Sequence, residues 1–285
     1  AATTDNDTAG FTVTQSGGST SVAESGTTDT FTVVLNAQPN SDVVISVSSG
    51  DTGEATVSPA TLTFTSGNWN SAQTVTVTGV DDSLVDGTQT STLTLSVVDG
   101  SSDNNFDPVA DQTVSAATTD NDTAGFTVVQ SGGSTSVAET GSTDTFTVVL
   151  DAQPTSDVVI SITSGDTGEA TVSPGTLTFT SGNWNSAQTV TVTGVDGSLV
   201  DGSQTTAATI SVVDASSDND FDGIANQTVS ITTTNDDTAG FTVAISGGST
   251  SVAESGSTDT VTVGLNAQPA SNVVISVTSG DTGEA

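Results

Sequence analysis

The chain has 285 residues, of which 34 are Asp or Glu and none is Lys, Arg or His, so its formal net charge is −34. Internal salt bridges between side chains are therefore excluded, and binding to nucleic acid or to an anionic membrane is electrostatically opposed. The absence of Cys excludes disulfide bonds, thiolate metal sites and a Cys nucleophile. Cationic partners are the natural counterpart, and a dissolved divalent metal ion is the simplest of them.

The sequence repeats with a period of 115 residues, because Phe11, Phe126 and Phe241 each stand in the same Ala-Gly-Phe-Thr-Val context. Residues 1–115 and 116–230 are identical at 96 of 115 positions. We predict the tail of a preceding repeat at 1–7, repeat 1 at 8–122, repeat 2 at 123–237 and a partial repeat 3 at 238–285. Because repeat 3 is too short to bury a sandwich core, we expect its remaining strands to follow in the same chain, or else to come from another molecule.

Short strands are predicted along each repeat by the alternation of apolar and hydroxyl residues, as in Thr74-Val75-Thr76-Val77-Thr78. In repeat 1 they are predicted, in chain order, at 11–15, 28–35, 43–48, 55–57, 61–65, 74–78, 92–97 and 112–116. Turn residues such as Gly17-Gly18 separate them, and no segment has the 3.6-residue period of a helix. This rhythm predicts an all-β protein made of tandem immunoglobulin-like Greek-key β-sandwich domains in a linear array.

One face of each predicted strand is apolar and should be buried between the two sheets. The expected core of repeat 1 is Val13, Val22, Phe31, Val33, Leu35, Val43, Ile45, Val47, Leu62, Phe64, Val75, Val77, Leu93, Leu95, Val97 and Val114. The outward rows of Thr and Ser add only about 0.2–1 kcal/mol per cross-strand pair. Without salt bridges or disulfides, this modest core needs another source of stability.

Acidic residues concentrate in the predicted loops, whereas the strand faces carry almost none. Loops from alternate strand ends meet at one pole of a sandwich, so several carboxylates should converge there and repel one another. Calcium resolves that conflict because it accepts about six to eight oxygen ligands in flexible geometry. The alternative is that these carboxylates are solvated and contribute only solubility.

Four segments of repeat 1 resemble the Calx-beta family of extracellular and exchanger regulatory domains. They are Ser21-Val22-Ala23-Glu24, Thr61-Leu62-Thr63-Phe64 followed by Ser66-Gly67, the run from Asp81 to Gly87, and Thr119-Asp120-Asn121-Asp122. The resemblance implies calcium ligands at the end of the domain that faces its neighbour. In repeat 1 the implied ligands are Glu24, Asp81, Asp82, Asp86, Asp120 and Asp122, with Asp51 or Glu54 as further members.

Repeat 2 departs from this pattern at two ligand positions. The ligands that the resemblance implies there are Glu139, Asp196, Asp201, Asp236 and Asp237, with Asp166 or Glu169 as further members. Gly197 replaces the second Asp of the pair, and Asn235 replaces the first acid of the junction, so we expect a weaker site or fewer ions. Gln89 in repeat 1 and Gln204 in repeat 2 stand where the family usually has another acid. Both repeats therefore depart from the full multi-ion cluster of the family.

A second acidic loop runs from Asp218 to Gly223 and has the spacing that opens an EF-hand loop. Val229 stands where an EF-hand has its bidentate Glu. We therefore expect a flexible polar hairpin, with an irregular calcium-binding loop as the alternative.

No catalytic site is predicted, because a His base and cationic side chains for phosphates are missing. Asp-Thr-Gly at Asp51, Asp166 and Asp281 lacks the preceding apolar strand of pepsin-like proteases, and copies one domain apart cannot share a proton. We therefore predict that the chain is not an enzyme. Trp69 and Trp184 are expected to cap the sandwich core, with stacking on sugars as the alternative.

The sequence thus predicts a structural, calcium-stiffened segment of a long secreted or cell-surface fibre or adhesin stalk of bacterial type. Its partners would be calcium ions and neighbouring repeats of the same chain. The alternatives are a subunit that assembles with other copies of itself into an extracellular filament, or a module that binds a glycan or protein through Trp69 and Trp184. Apolar runs are too short to insert into a membrane.

Overall fold

In the computed structural model, which describes residues 6–283, the chain divides into two compact units between Ala124 and Gly125. Both units are built from β-strands, and residues 6–283 contain no α-helix. This confirms the expectation that helix is negligible, and nothing in the described range is long and apolar enough to cross a bilayer as a helix. Most of the predicted tail at 1–7 lies outside the described residues, as do 284–285.

The first unit has two sheets. Its strands are β1 (Phe11–Gln15), β2 (Thr20–Ala23), β3 (Thr28–Leu35), β4 (Val43–Ser49), β5 (Ala55–Ser58), β6 (Thr61–Phe64), β7 (Gln73–Gly79), β8 (Gln89–Val97) and β9 (Gln112–Thr119). One sheet has the order β1-β3-β7-β5 and the other β2-β9-β8-β4-β6. The sequence located every strand except β2, and it ended β9 at position 116, three residues before its last residue, Thr119.

The chain changes sheets between β1 and β2. β1 pairs antiparallel with β3, and β2 then joins the opposite sheet in parallel with β9, so that Ser21 faces Ala117. The change of direction uses Gly17 and Gly18, whose φ angles of 65° and 87° are easily adopted only by glycine. Two sheets of four and five short strands that enclose one core are typical of immunoglobulin-like sandwiches, and the predicted fold class is confirmed.

The apolar faces of the two sheets enclose one core in the first unit, centred on Phe31, Phe64 and Phe106. All the expected core residues are buried except Val13 and Val97, which are half-buried and pack against its rim. Phe106 was not expected in the core, because it belongs to the acidic loop between β8 and β9. The hydrophobic pattern of the strands therefore predicts the core residues that the strands contribute, but not Phe106, which a loop contributes.

The second unit repeats this sandwich and adds the strands of repeat 3. Its strands are β10 (Phe126–Gln130), β11 (Thr135–Ala138), β12 (Thr143–Leu150), β13 (Val158–Ser164), β14 (Ala170–Ser173), β15 (Thr176–Phe179), β16 (Gln188–Gly194), β17 (Leu199–Val200), β18 (Gln204–Val212), β19 (Gln227–Thr234), β20 (Phe241–Ile245), β21 (Val261–Leu265) and β22 (Gln268–Pro269). The sandwich sheets have the orders β10-β12-β16-β14 and β11-β19-β18-β13-β15, while β20 pairs with β21 and β17 with β22.

Short 3-10 turns of three residues complete both units. They lie at Ser16–Gly18, Asp99–Ser101, Ser131–Gly133, Asp214–Ser216, Asn219–Phe221 and Ser246–Gly248. Each connects strands or opens a loop, so the loops that carry the carboxylates start from fixed strand ends.

Candidate metal centre

Glu24 is the central residue of an acidic pole in the first unit. It directly follows β2, and its backbone N–H donates to the carbonyl oxygen of Thr119 at 3.1 Å, which extends the parallel pairing with β9 by one residue. Its side chain is 1% exposed. The carboxylate is therefore held inside the end of the sandwich, next to the residues that follow β9.

Gly79 lets the end of β7 lie directly against β2. A Cβ atom at Gly79 would stand 2.1 Å from the carbonyl oxygen of Ala23, a distance that no side chain tolerates. Because Asp81 and Asp82 follow Gly79 by two and three residues, this close approach brings the predicted Asp pair to the same pole as Glu24.

Two groups of three carboxylates meet at this pole and share Glu24. Glu24, Glu54 and Asp82 form the first group, and Glu24, Asp120 and Asp122 form the second. Within each group, one oxygen from every residue lies within 4.8 Å of the other two. Calcium–oxygen bonds are about 2.3–2.6 Å long, so ligands on opposite sides of one ion are about this far apart.

Backbone N–H groups fix the loops around the two groups. Asp82 Oδ1 accepts a hydrogen bond of 2.7 Å from Leu84 N. Asp120 Oδ2 accepts from Asp86 N at 3.1 Å and Gly87 N at 2.9 Å, and Asp120 Oδ1 accepts from Asp122 N at 2.6 Å. These bonds orient the loop after β7 and the segment after β9 toward each other.

Several buried oxygens of the cluster have no hydrogen-bond donor. No donor from residues 6–283 reaches Glu24 Oε1, Glu54 Oε2 or Asp122 Oδ2, although all three atoms are buried. A buried carboxylate oxygen without a partner is costly, and the chain has no Lys, Arg or His that could neutralise it. A donor set of oxygens that lack donors fits a hard cation such as calcium.

The electrostatics of the pole reflect the same crowding. Burial raises the pKa of Glu24 from 4.5 to about 7, against the hydrogen bond from Asn121 N, and the charges of Asp120 and Asp82 add to the increase. Burial also raises the pKa of Glu54, as do nearby carboxylates, first that of Asp86. The pKa of Asp122 is raised by burial and by the charge of Asp120. Three carboxyl groups of one site thus resist ionisation in the absence of a cation.

Three residues implied by the family resemblance lie outside these two groups. Asp51 is exposed, and its Oδ1 accepts from Gly53 N at 3.0 Å within its own turn. Asp81 is exposed and accepts from Asn121 Nδ2 at 3.2 Å. Asp86 is half-buried, and its charge contributes to the raised pKa of Glu54. Of the implied ligands in repeat 1, the structure brings together Glu24, Glu54, Asp82, Asp120 and Asp122.

Repeat 2 has the same scaffold, but a different set of side chains at its acidic pole. Within residues 6–283, no three carboxylates of repeat 2 come together as they do in repeat 1. Gly197 takes the place of Asp82, and a Cβ atom there would stand 3.5 Å from Glu139 Oε1, so the missing carboxylate would have lain beside Glu139. Asn235 takes the place of Asp120.

The remaining carboxylates of repeat 2 are only partly gathered. Glu139 is buried, and its Oε2 accepts from Asp236 N at 3.4 Å. Burial raises the pKa of Glu139 and of Glu169, and the charge of Asp201 contributes to both. Glu169 Oε2 and Asp237 Oδ2 are buried, and no donor from the described residues reaches them. Asp166, Asp196, Asp201 and Asp236 are exposed.

In both repeats, a buried Asp of the second acidic loop accepts hydrogen bonds from the loop that follows the third strand of the sandwich. Asp218 is buried, and its carboxylate accepts from Thr155 Oγ1 and Ser156 N, both at 2.7 Å, and from Asp220 N at 3.1 Å. Burial acts to raise the pKa of Asp218, but these hydrogen bonds outweigh it and lower the pKa. The loop encloses buried Phe221 rather than forming a polar hairpin. Because donors already reach both oxygens of Asp218, its carboxylate offers little to a cation.

Trp69 contributes to the core of repeat 1. Its side chain is half-buried and packs against the hydrophobic core, while its carbonyl oxygen accepts from Leu35 N at 3.1 Å. This position agrees with the capping role expected from the sequence.

No protein-family model and no curated protein matches the sequence. Among solved structures, CBD12 from CALX1.2 aligns with 70% of this chain and 79% of its own length, at 13% identity and a TM-score of 0.30. Domains 4 and 5 of the S-layer protein SbsC align with 80% of this chain and 99% of their own length, at 17% identity and a TM-score of 0.32. Likenesses this distant carry no argument about ions or function, which rest on the residues described above.

Proposed function

We propose that the chain is a structural segment whose β-sandwich repeats are stabilised by calcium at their acidic poles. The observation that carries this proposal is the pair of three-carboxylate groups around Glu24, with buried oxygens that no donor from the described residues reaches. The chain has no cationic side chain that could neutralise them, which favours an external cation. The role is mechanical, since a bound ion would tie the loops of the pole to the end of β9.

The chemistry of the donors favours calcium over other divalent ions. Every donor is an oxygen, which disfavours zinc and copper, and calcium tolerates irregular sets of about six to eight oxygens. Magnesium requires near-ideal octahedral geometry and keeps several waters. Because Glu24 belongs to both groups, it would be a ligand to a cation held by either of them.

Coupling between calcium and folding would restrict the ordered state to calcium-rich surroundings. Extracellular calcium modules bind at about 10⁻⁴ to 10⁻³ M, and binding free energy adds directly to the free energy of unfolding. A segment of this kind suits a secreted or cell-surface fibre or adhesin stalk. The packing of Trp69 against the core argues for this structural role rather than for a glycan-binding module.

Differential scanning calorimetry with calcium, with magnesium and with a chelator tests the proposal. We expect calcium to raise the melting temperature above that in chelator, by a margin that grows with calcium concentration. Glu24→Gln should remove most of that increase, because Glu24 is shared by both groups, whereas the same change at exposed Glu254 should leave it intact. Equal melting temperatures in calcium and chelator would refute the proposal.

A further inference from the structure

The acidic loop of repeat 2 also carries the contact between repeat 2 and repeat 3. β17 pairs in parallel with β22, with Leu199 opposite Gln268 and Val200 opposite Pro269. Gln268 N donates to the carbonyl oxygen of Ser198 at 2.7 Å. We call the segment 198–200 the docking segment. Its partner in repeat 3 is the turn that contains Gln268 and Pro269.

Apolar side chains flank the docking segment on one side. A cavity of about 360 Å³ lies there, lined by residues of both repeats that include Val200, Leu265, Pro269 and Val273. The contact therefore combines a backbone hydrogen bond with a partly apolar surface, and its geometry depends on where the loop holds Leu199 and Val200.

Asn235 holds this loop in place. Its Nδ2 donates to the carbonyl oxygen of Leu199 at 3.0 Å and to Asp201 Oδ1 at 3.3 Å. Its Oδ1 accepts from Asp237 N at 2.6 Å. One side chain thus links the docking segment, an acid of the same loop and the segment that follows β19.

The corresponding residue of repeat 1 is Asp120. One of its two side-chain oxygens accepts hydrogen bonds at the position where the Asn235 amide nitrogen donates them. Asp120 Oδ1 accepts from Asp122 N at 2.6 Å, as Asn235 Oδ1 does from Asp237 N. Asp120 Oδ2, however, accepts from Asp86 N and Gly87 N, where Asn235 Nδ2 donates to oxygens. An ionised carboxylate has no hydrogen to donate, so it cannot bond directly to a carbonyl oxygen or to a second carboxylate, whereas a cation between them could join all three.

We propose that Asn235 is a positioning residue that takes the place of a cation in the acidic loop of repeat 2. Its amide fixes the docking segment against the Gln268 turn whether or not a divalent ion is present. The contrast with Asp120 rests on the proposed function, since it assumes that calcium occupies the pole of repeat 1. The docking of repeat 3 through Asn235 does not require that assumption.

Hydrogen exchange at the Gln268 amide, followed in the whole chain by NMR, tests the proposal through Asn235→Asp. In the unaltered protein we expect equal protection of this amide in calcium and in chelator. In Asn235→Asp the protection should fall about tenfold in chelator, because the bonds to Leu199 O and Asp201 are lost. Calcium should restore it. Asn226→Asp adds the same charge at an exposed residue and should behave like the unaltered protein.

The Val213 amide, which donates to Val159 O at 2.8 Å inside repeat 2, reports whether the variant still folds. If Val213 also loses protection in Asn235→Asp, Asn235→Ser provides a neutral replacement whose shorter side chain should give the same local loss without a new charge. Unchanged protection of Gln268 in chelator, in whichever of these variants keeps Val213 protected, overturns the proposal. Loss of Gln268 protection that calcium fails to restore supports the role of Asn235, and counts against the calcium site only if calorimetry also finds no calcium-dependent melting.

Discussion

The acidic poles of repeats 1 and 2 have the same backbone pairing but different abilities to gather carboxylates. Glu24 and Glu139 each follow the short strand that pairs in parallel with the last strand of the sandwich. Repeat 1 surrounds its Glu with carboxylates on two sides, whereas repeat 2 has Gly197 and Asn235 at the corresponding positions. The residues at these two positions therefore decide what this framework contains. Asp82 and Asp120 complete an acidic cluster in repeat 1, whereas in repeat 2 the amide of Asn235 holds the loop by hydrogen bonds.

The largest expected effect tests the framework that the two poles share. Gly79→Ala should destabilise repeat 1 by more than about 3 kcal/mol, because the new Cβ would overlap the carbonyl oxygen of Ala23. Gly194→Ala should do the same in repeat 2, where the corresponding distance to Ala138 O is also 2.1 Å. Urea unfolding measures both changes.

The control for these substitutions is Gly100→Ala, since a Cβ atom at Gly100 meets nothing within 4 Å. The chain has two Trp residues, one in repeat 1 and one in repeat 2, so fluorescence can follow these two repeats separately. Trp184→Phe leaves Trp69 to report on repeat 1, and Trp69→Phe leaves Trp184 to report on repeat 2. A mild effect of Gly79→Ala would contradict the close approach of β7 to β2.

An exchange of the loop residues should transfer the response to calcium. With Asp82→Gly and Asp120→Asn together, repeat 1 should lose most of its stabilisation by calcium, which amounts to about 2.7 kcal/mol at a concentration one hundred times the Kd. The reverse pair, Gly197→Asp and Asn235→Asp, should increase the stabilisation of repeat 2. Calcium titrations of urea unfolding measure both. Equal stabilisation of the two repeats by calcium in the unaltered protein would contradict the proposed difference between their acidic poles.

Substitutions in the second acidic loops should have the same effect on stability in both repeats, and that effect should not depend on calcium. Asp103 accepts hydrogen bonds from Asn105 N, Ser41 N and Asn40 N, which together lower its pKa. Asp103→Ala should lower the urea midpoint of repeat 1 equally in calcium and in chelator, because the N–H groups of Asn40, Ser41 and Asn105 lose this acceptor. Asp111→Ala at an exposed position is the control. A calcium-dependent cost at Asp103 would show that this loop also binds the ion.

The smallest expected effect concerns pH in calcium-free buffer. Because the pKa of Glu24 rises from 4.5 to about 7 on folding, the folded state binds more protons than the unfolded state between these values. Stability should therefore decrease as pH rises through this window, and the melting temperature should fall with it. Glu54 and Asp122 act in the same direction.

Glu24→Gln should flatten that pH dependence, because a neutral amide has no proton to lose in this range. Calcium should also flatten it, since a bound cation favours the ionised carboxylates. Melting temperatures that rise between pH 5 and pH 7 in chelator would contradict the burial of Glu24.

Most strands and most of the core could be predicted from the sequence, since apolar residues alternate with Thr and Ser along each strand. β2 was missed because its two buried positions are Thr20 and Val22, so apolar and hydroxyl residues do not alternate along it. Phe106 and Phe221 were missed as core residues because they stand among acids, where composition indicates a solvated loop. The strand signals are local, whereas the burial of a loop residue depends on which strands it closes over.

The candidate site shows the same division. Family-like motifs indicated every carboxylate of the two groups around Glu24, but they also included Asp51 and Asp81, which the structure leaves exposed. The donor role of Asn235 had no signal in the sequence beyond its replacement of an acid. A motif records which residue types occur, whereas hydrogen-bond partners depend on positions that the rest of the fold sets.

The sequence by itself determined the repeat, the all-β class and the excess of negative charge, because period, alternation and charge are properties of the chain alone. Only the tertiary structure decided which carboxylates share a site, which ones are already satisfied by N–H donors, and where the docking segment meets repeat 3. The physical reason is that carboxylate repulsion and hydrogen bonding act over a few ångströms between residues tens of positions apart, and those distances exist only after the sheets have packed.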